Sequence, residues 1–130
     1  MIKTGIDLVQ ISKVVDKINN HNRFLDIILT TKEQQYCASK IGSIDDEIKK
    51  YQSVAGIYAV KESFFKAIGC GIRSLEYFKY IEVNHDKNGK PYITFKDGIN
   101  KVLAGEEIVD IDVSISHDAD MAIAICVIKI

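Results

Sequence analysis

Five side chains, spread over three short stretches of the chain, have types and spacing that could do chemistry. They are Asp7 in GIDLV, then Lys61, Glu62 and Lys66 in AVKESFFKAIGCGI, and His117 in VSISHD. Asp7 and Glu62 form an oxygen-ligand pair suited to Mg²⁺, which takes one or two protein carboxylates and completes its shell with water and substrate phosphate. Lys61 and Lys66 are compact point charges able to neutralise phosphate, and His117 could bind phosphate or move a proton. Each also has an ordinary structural explanation. Glu62 and Lys66 lie four residues apart on a helix, in the order that favours an ion pair. Asp7 alone reads as a solvated or turn-capping carboxylate, and a lone loop histidine as a polar residue facing solvent. Charges inside an apolar helix are costly unless paired or liganded, so the cluster is either a structural ion pair or a site.

The elements that must position these groups follow from periodicity. In the stretch 53–71, Val54, Ile57, Tyr58, Val60, Phe64, Phe65 and Ile68 leave no broad polar face, the pattern of a helix packed on several sides. This central helix is predicted to run from Asp45 to Ile68, on the order of 35 Å. Ser43 is its expected N-cap, with Asp45, Asp46 and Glu47 near its positive end. Gly69 and Gly71 stop it and set flexible backbone beside Lys66. Before it, residues 2–9 alternate as a strand, with Ile2, Thr4, Ile6 and Leu8 on the expected buried face and Lys3, Gly5, Asp7 and Val9 on the other. Ile11, Val14, Val15 and Ile18 make the stripe of a short amphipathic helix, with Lys13 and Lys17 off the stripe and Arg23 just beyond. Thr30 and Glu33 match a capping box, which gives Glu33 a structural job. Beyond the central helix, residues 79–83 and 92–95 flank Asn88-Gly89 as a hairpin, and residues 97–104 form a short helix with Asp97 as N-cap. Residues 108–116 alternate, with Val109, Ile111, Val113 and Ile115 facing a core. A tight loop at 117–120 carries His117 back into residues 122–128, a strand apolar on both faces, as expected of a central strand or one covered by a partner.

Composition bounds the reading. At 130 residues, 47% hydrophobic and 27% charged with one proline, the chain describes a single compact domain. Seventeen basic against eighteen acidic residues create no global field, so neither nucleic acid nor a membrane surface is an expected partner. The N-terminal segment lacks a signal-peptide pattern, and Met121 to Ile128, the longest apolar run, is far too short to cross a bilayer. Cys37, Cys70 and Cys126 lack metal-ligand spacing and read as ordinary thiols, which points to the cytoplasm.

In these motifs the chain resembles the short bacterial 4′-phosphopantetheinyl transferases, the holo-acyl-carrier-protein synthase family. Gly5-Ile6-Asp7 matches the first family motif; Lys61-Glu62, Lys66-Ala67 and Gly69-Cys70-Gly71-Ile72 match the helical motif and its glycine-rich turn. Phe24 through Glu33, Asn88-Gly89-Lys90-Pro91 and Ser114-Ile115-Ser116-His117 match further family segments, so the resemblance spans essentially the whole chain in order. It implies an α+β fold with the long central helix packed against a mainly antiparallel sheet, assembled as a trimer with active sites between subunits. The implied reaction transfers phosphopantetheine from coenzyme A to a serine of an apo acyl carrier protein, releasing adenosine 3′,5′-bisphosphate. By the same resemblance, Asp7 and Glu62 hold Mg²⁺, Lys66 stabilises the transferring phosphate, and Lys61, Gly69, Gly71, Ser116 and His117 contact the coenzyme. The general base stays open, with Glu33 and a metal-bound water as candidates, and the resemblance implies that Lys13, Lys17 and Arg23 dock the acidic carrier. One departure stands out: members often carry a basic residue where this chain has Ile57, so the contact is either lost here or replaced from elsewhere, with Lys50 and Arg73 as candidates. An inactive relative that binds nucleotide or carrier without transfer is the alternative, and a structural module in which Glu62 and Lys66 merely pair is the third reading.

Overall fold

The computed structural model describes residues 1–70 and 75–130. Its principal sheet joins the two ends of the chain. Strands β1 (Ile2–Gln10), β4 (Asp110–Asp118) and β5 (Met121–Lys129) are antiparallel in the order β1-β5-β4. A separate hairpin pairs β2 (Ile81–His85) with β3 (Pro91–Phe95). Between β1 and β2 lie α1 (Ile11–Asn20), α2 (Phe24–Ile28), α3 (Thr31–Ile41), α4 (Glu47–Lys50), α5 (Gln52–Ala67) and a 3₁₀ turn, Leu75–Tyr80; α6 (Asn100–Leu103) precedes β4.

Helix α5 lies across one face of the principal sheet, and small residues let it come close. Ala122, Ala124 and Cys126 of the central strand are all but fully buried beneath it. At one end, a side chain at Gly5 would collide with the Ser63 carbonyl oxygen and the Ala67 amide. At the other, Gly56 rests against Ile115 and His117. The helix backbone therefore sits almost directly on β1, the closest approach that glycine allows. On its remaining sides α5 packs aromatic rings, with Phe65 stacked on Phe78 at 5.8 Å and Tyr58 edge-on to Phe78 at 5.5 Å.

A buried ion pair braces this helix. Lys61 is wholly enclosed, and its ammonium donates to Glu33 Oε1 at 2.7 Å, the Ile28 carbonyl at 2.8 Å and the Phe78 carbonyl at 3.2 Å. Glu33 closes the predicted capping box with Thr30, and its Oε2 accepts from the Val83 amide at 2.7 Å. Five elements thus meet at two charges. Every lysine donor is used, which is what makes so buried an ammonium tolerable.

The differences from expectation have local causes. The central helix is broken: Asp46, not Ser43, caps α4 by accepting from the Ile48 and Lys49 amides, and Tyr51 leaves helical geometry before α5 starts. On β1 the faces are exchanged. Gly5 and Val9 are buried under α5, while Ile2, Ile6 and Leu8 are exposed, because only the glycine face admits the helix backbone. The chain reverses after Asp118, so His117 belongs to β4 opposite Ala122, and Ala119 takes a left-handed φ of 49° in the tight turn. Asp97 does not cap α6, which begins after Ile99 with no side-chain cap. The Asn88-Gly89 turn forms as expected, with Gly89 at φ 84° and Asp86 accepting from the Asn88 and Lys90 amides.

Replacing Lys61 with Met should lower stability by about 3–5 kcal/mol, because it strands the Glu33 carboxylate without its cation. Urea unfolding measures this, and a loss below about 1 kcal/mol, the scale of a surface pair, would show that the buried pair contributes little.

Candidate active site

Asp7 lies midway along β1, opposite Ala124 and on the face that α5 covers. Its side chain is only 13% exposed, so the strand position does not leave it solvated. Because Gly5 brings the helix so near, Lys66 in the last turn of α5 reaches β1. Its ammonium donates to Asp7 Oδ1 at 2.9 Å and to the Ile6 carbonyl at 3.0 Å. The pair expected between Glu62 and Lys66 is thus replaced by one between Asp7 and Lys66. Sequence spacing put Glu62 in reach, but the close docking offers Lys66 a carboxylate and a carbonyl together.

Glu62, one turn earlier on α5, shares a cleft of about 240 Å³ with Asp7. Lys13, Lys17 and Tyr58 form part of the same wall. Partial burial pushes the Glu62 carboxyl above its ordinary range and the charge of Asp7 adds to this, while the Tyr58 hydroxyl and the charges of Lys66 and Lys17 work the other way. Tyr58 is pushed up in turn, first by burial and then by Glu62. Two carboxylates that repel each other across one cleft, offering hard oxygen donors, are a fit for a divalent cation of the Mg²⁺ type, whose charge would relieve that repulsion. Among the described residues they are not joined by a third His, Cys, Asp or Glu. Tyr58 flanks Glu62 as its spacing of four residues requires, but it was not among the expected site residues.

The remaining predicted residues are distributed as follows. Lys61 is corrected from a coenzyme contact to a structural residue, since all three of its donors are committed inside the core. Glu33 is likewise corrected as a candidate base, being 1% exposed with both oxygens engaged. His117 Nε2 lies 3.1 Å from the Gln52 carbonyl at the start of α5. Gln52 and Glu62 are about 15 Å apart along the helix, so His117 and the carboxylates do not converge within one chain. Ser116 points to the opposite sheet face, where it lines a cleft of about 230 Å³ with Ile6, Ser114, Ile115, Ile123 and Ile125. Gly69 ends α5 at φ 73° with open space around it, its amide donating to the Lys66 carbonyl. Gly71 and Arg73 lie outside the described residues.

The basic residues expected to dock a partner line two adjoining clefts that share Lys17. Lys13 and Lys17 border the carboxylates, and Lys17 and Arg23 border a larger cleft of about 470 Å³ with Phe24, Ile27 and Leu75. The Lys17 ammonium stands over the rings of Phe24 and Tyr58, at 5.8 and 5.7 Å. Ile57, at the position where a cation was expected, is 1% exposed and belongs to the core.

Comparison with known proteins converges on one family. The family model of the 4′-phosphopantetheinyl transferase superfamily matches residues 3–126. A holo-[acyl-carrier-protein] synthase from Halothermothrix orenii is 36% identical over 124 residues, covering 95% of this chain and 93% of that protein. Among solved structures, the holo-[acyl-carrier-protein] synthase from Neisseria meningitidis superposes with a TM-score of 0.81 at 27% identity, covering 99% of each chain. The enzyme from Helicobacter pylori in complex with coenzyme A gives 0.76 at 30% identity, over 99% of this chain and 100% of that one.

The raised Glu62 carboxyl has a measurable cost. The folded state binds this proton more tightly than the unfolded chain, so stability is lost as pH rises from the ordinary carboxylate range through the raised value. Glu62→Gln should therefore melt a few degrees higher than the parent protein at neutral pH without metal, with the gain vanishing in acid. Equal melting temperatures at neutral pH would contradict the electrostatic account.

Proposed function

The chain belongs to the 4′-phosphopantetheinyl transferase superfamily, and from that premise we propose how its cleft performs the transfer of phosphopantetheine from coenzyme A to a serine of an apo acyl carrier protein. The observation that carries the reading is the shared cleft in which Asp7 and Glu62 face the same space as Lys13 and Lys17. The serine oxygen attacks the pyrophosphate phosphorus nearer the pantetheine arm. A new P–O bond forms as the bond to adenosine 3′,5′-bisphosphate breaks. Such a transfer is catalysed largely by positioning and by neutralising negative charge.

Asp7 and Glu62 would hold Mg²⁺, which supplies charge neutralisation to the pyrophosphate oxygens when bound. Lys66, more than half exposed and paired with Asp7, contributes a point charge to the transferring phosphate and the leaving group. With Glu33 committed to the core, Asp7 and Glu62 are the carboxylates lining the cleft through which the serine proton must leave. The open backbone at Gly69 permits close approach of the coenzyme. Lys13, Lys17 and Arg23 form a positive rim for the acidic carrier, with Phe24 and Ile27 offering apolar contact between them.

The same reading makes the protein a homotrimer acting in the cytoplasm. Ile6 and Leu8 are 56% and 61% exposed, and Ile6 borders the apolar cleft on the outer sheet face with Ile123 and Ile125. Such a patch is what a second copy of the chain would cover. Ser116 and His117, remote from the carboxylates of their own chain, would then serve the coenzyme at a neighbour's site.

The direct test incubates the protein with coenzyme A, Mg²⁺ and an apo carrier protein and weighs the carrier intact; no phosphopantetheine gain would overturn the reading for that carrier. Asp7→Ala and Glu62→Ala should each lower turnover by about 100-fold or more, the scale of losing one preorganised charge-stabilising group. The double substitution Lys13→Gln, Arg23→Gln should raise the carrier KM with kcat little changed and flatten its dependence on salt. A KM that ignores both salt and these substitutions would remove the docking rim.

A further inference from the structure

Two lysines of α5 bind carboxylates in opposite manners. Lys61 is locked, wholly enclosed with three protein acceptors. Among the described residues, Lys66 is held at its tip, by Asp7 Oδ1 at 2.9 Å and the Ile6 carbonyl at 3.0 Å, while its side chain is 52% exposed. A flexible four-carbon stem with that much freedom can leave its partner at little packing cost. The carboxylate it occupies is also one of the two assigned to the divalent cation.

We propose that Lys66 and the divalent cation are alternative partners of Asp7, so that the lysine serves as built-in counter-charge in the metal-free protein and is released into the cleft when metal binds. The proposal rests on the assignment of Asp7 and Glu62 as the metal pair. An ammonium on Asp7 Oδ1 and a divalent cation on the same carboxylate would stand side by side, and like charges at such spacing repel strongly. With Lys66 in place, one oxygen of Asp7 is paired, while Glu62 stands on the wall of the same cleft. A doubly charged ion can be held by both carboxylates at once, whereas of the two the Lys66 ammonium bonds directly to Asp7. The displaced ammonium needs a new anion, and substrate phosphate entering the cleft supplies one. Lys66 becomes available to phosphate only after metal has taken its place, which orders metal before coenzyme. Gly5 sets up the exchange, because only the close docking it permits brings the last turn of α5 onto the Ile6 carbonyl.

The experiment follows Lys66 itself. The full-length protein, stripped of metal and free of coenzyme, is treated with acetic anhydride at limiting dose with and without saturating Mg²⁺, and acetylation at each lysine is quantified by peptide mass spectrometry. Lys66 should acetylate several-fold faster with Mg²⁺, while the exposed Lys32 on α3 serves as an unchanged reference. In Asp7→Asn, Lys66 should already react fast without metal and gain nothing from Mg²⁺. Calorimetry on the same samples measures Mg²⁺ binding directly. If Mg²⁺ binds and Glu62→Gln weakens that binding, yet Lys66 reactivity does not rise, the exchange is overturned and the metal pair stands. If Mg²⁺ binding is absent, or is untouched by both Asp7→Asn and Glu62→Gln, the metal-pair assignment fails and the exchange falls with it.

Discussion

The seating of α5 on β1 is the constraint from which the rest of the site follows. At Gly5 the helix and strand backbones approach so closely that any side chain would strike the Ser63 carbonyl. That approach decides which face of β1 is covered, turns Asp7 inward, and lets Lys66 span from helix to strand. A helix carried further from the sheet by a single methyl group would still bury its aromatic residues against Phe78. It would no longer present a cation and two carboxylates to one small space.

If Gly5 sets the distance, Lys61 and Glu33 set the orientation. Their pair ties α5 to α2, α3, the 3₁₀ turn and β2, and it does so next to Glu62 in the sequence. A residue on the locked side of the helix is thereby followed at once by one facing the cleft. Buried pairs of this kind are weak evidence for net stability, since well-packed apolar residues often do as well. Their directional bonds, however, hold the rotation of α5 about its axis, and with it the heading of Glu62.

Much of this was legible in the sequence where the signal was local. The capping box at Thr30 and Glu33, the apolar stripe of α1, the Asn88-Gly89 turn and the two-faced apolar β5 all form as periodicity and turn chemistry require. What escaped were choices made by distant residues. Alternation along β1 favours burying Ile2, Ile6 and Leu8, because hydrophobicity alone cannot tell a face meant for the chain's own core from one left exposed on it. Lys61 and Lys66 look equivalent on paper; they differ because Glu33 waits for one and Asp7 for the other. His117 read as a loop residue because the turn after it is only two residues long, tight enough to draw it into the strand.

The pairing of β1 with β5 also bears on how the protein comes into being. The first strand runs beside the last in full register, and the Met1 amine donates to the Ile130 carbonyl at 3.0 Å. The hairpin at Asp120 reaches back as well, accepting from the Ser12 amide and hydroxyl and from Gln10 at the start of α1. Contacts this distant in sequence are slow to form, and they cannot form on a nascent chain whose β5 is still inside the ribosome. Asp7 therefore emerges early but waits for β5, where Ala124 lies opposite it, before it has a strand to lie against. A chain released before β5 is complete would lack the sheet on which the cleft is built, so synthesis that stops short produces no half-active enzyme.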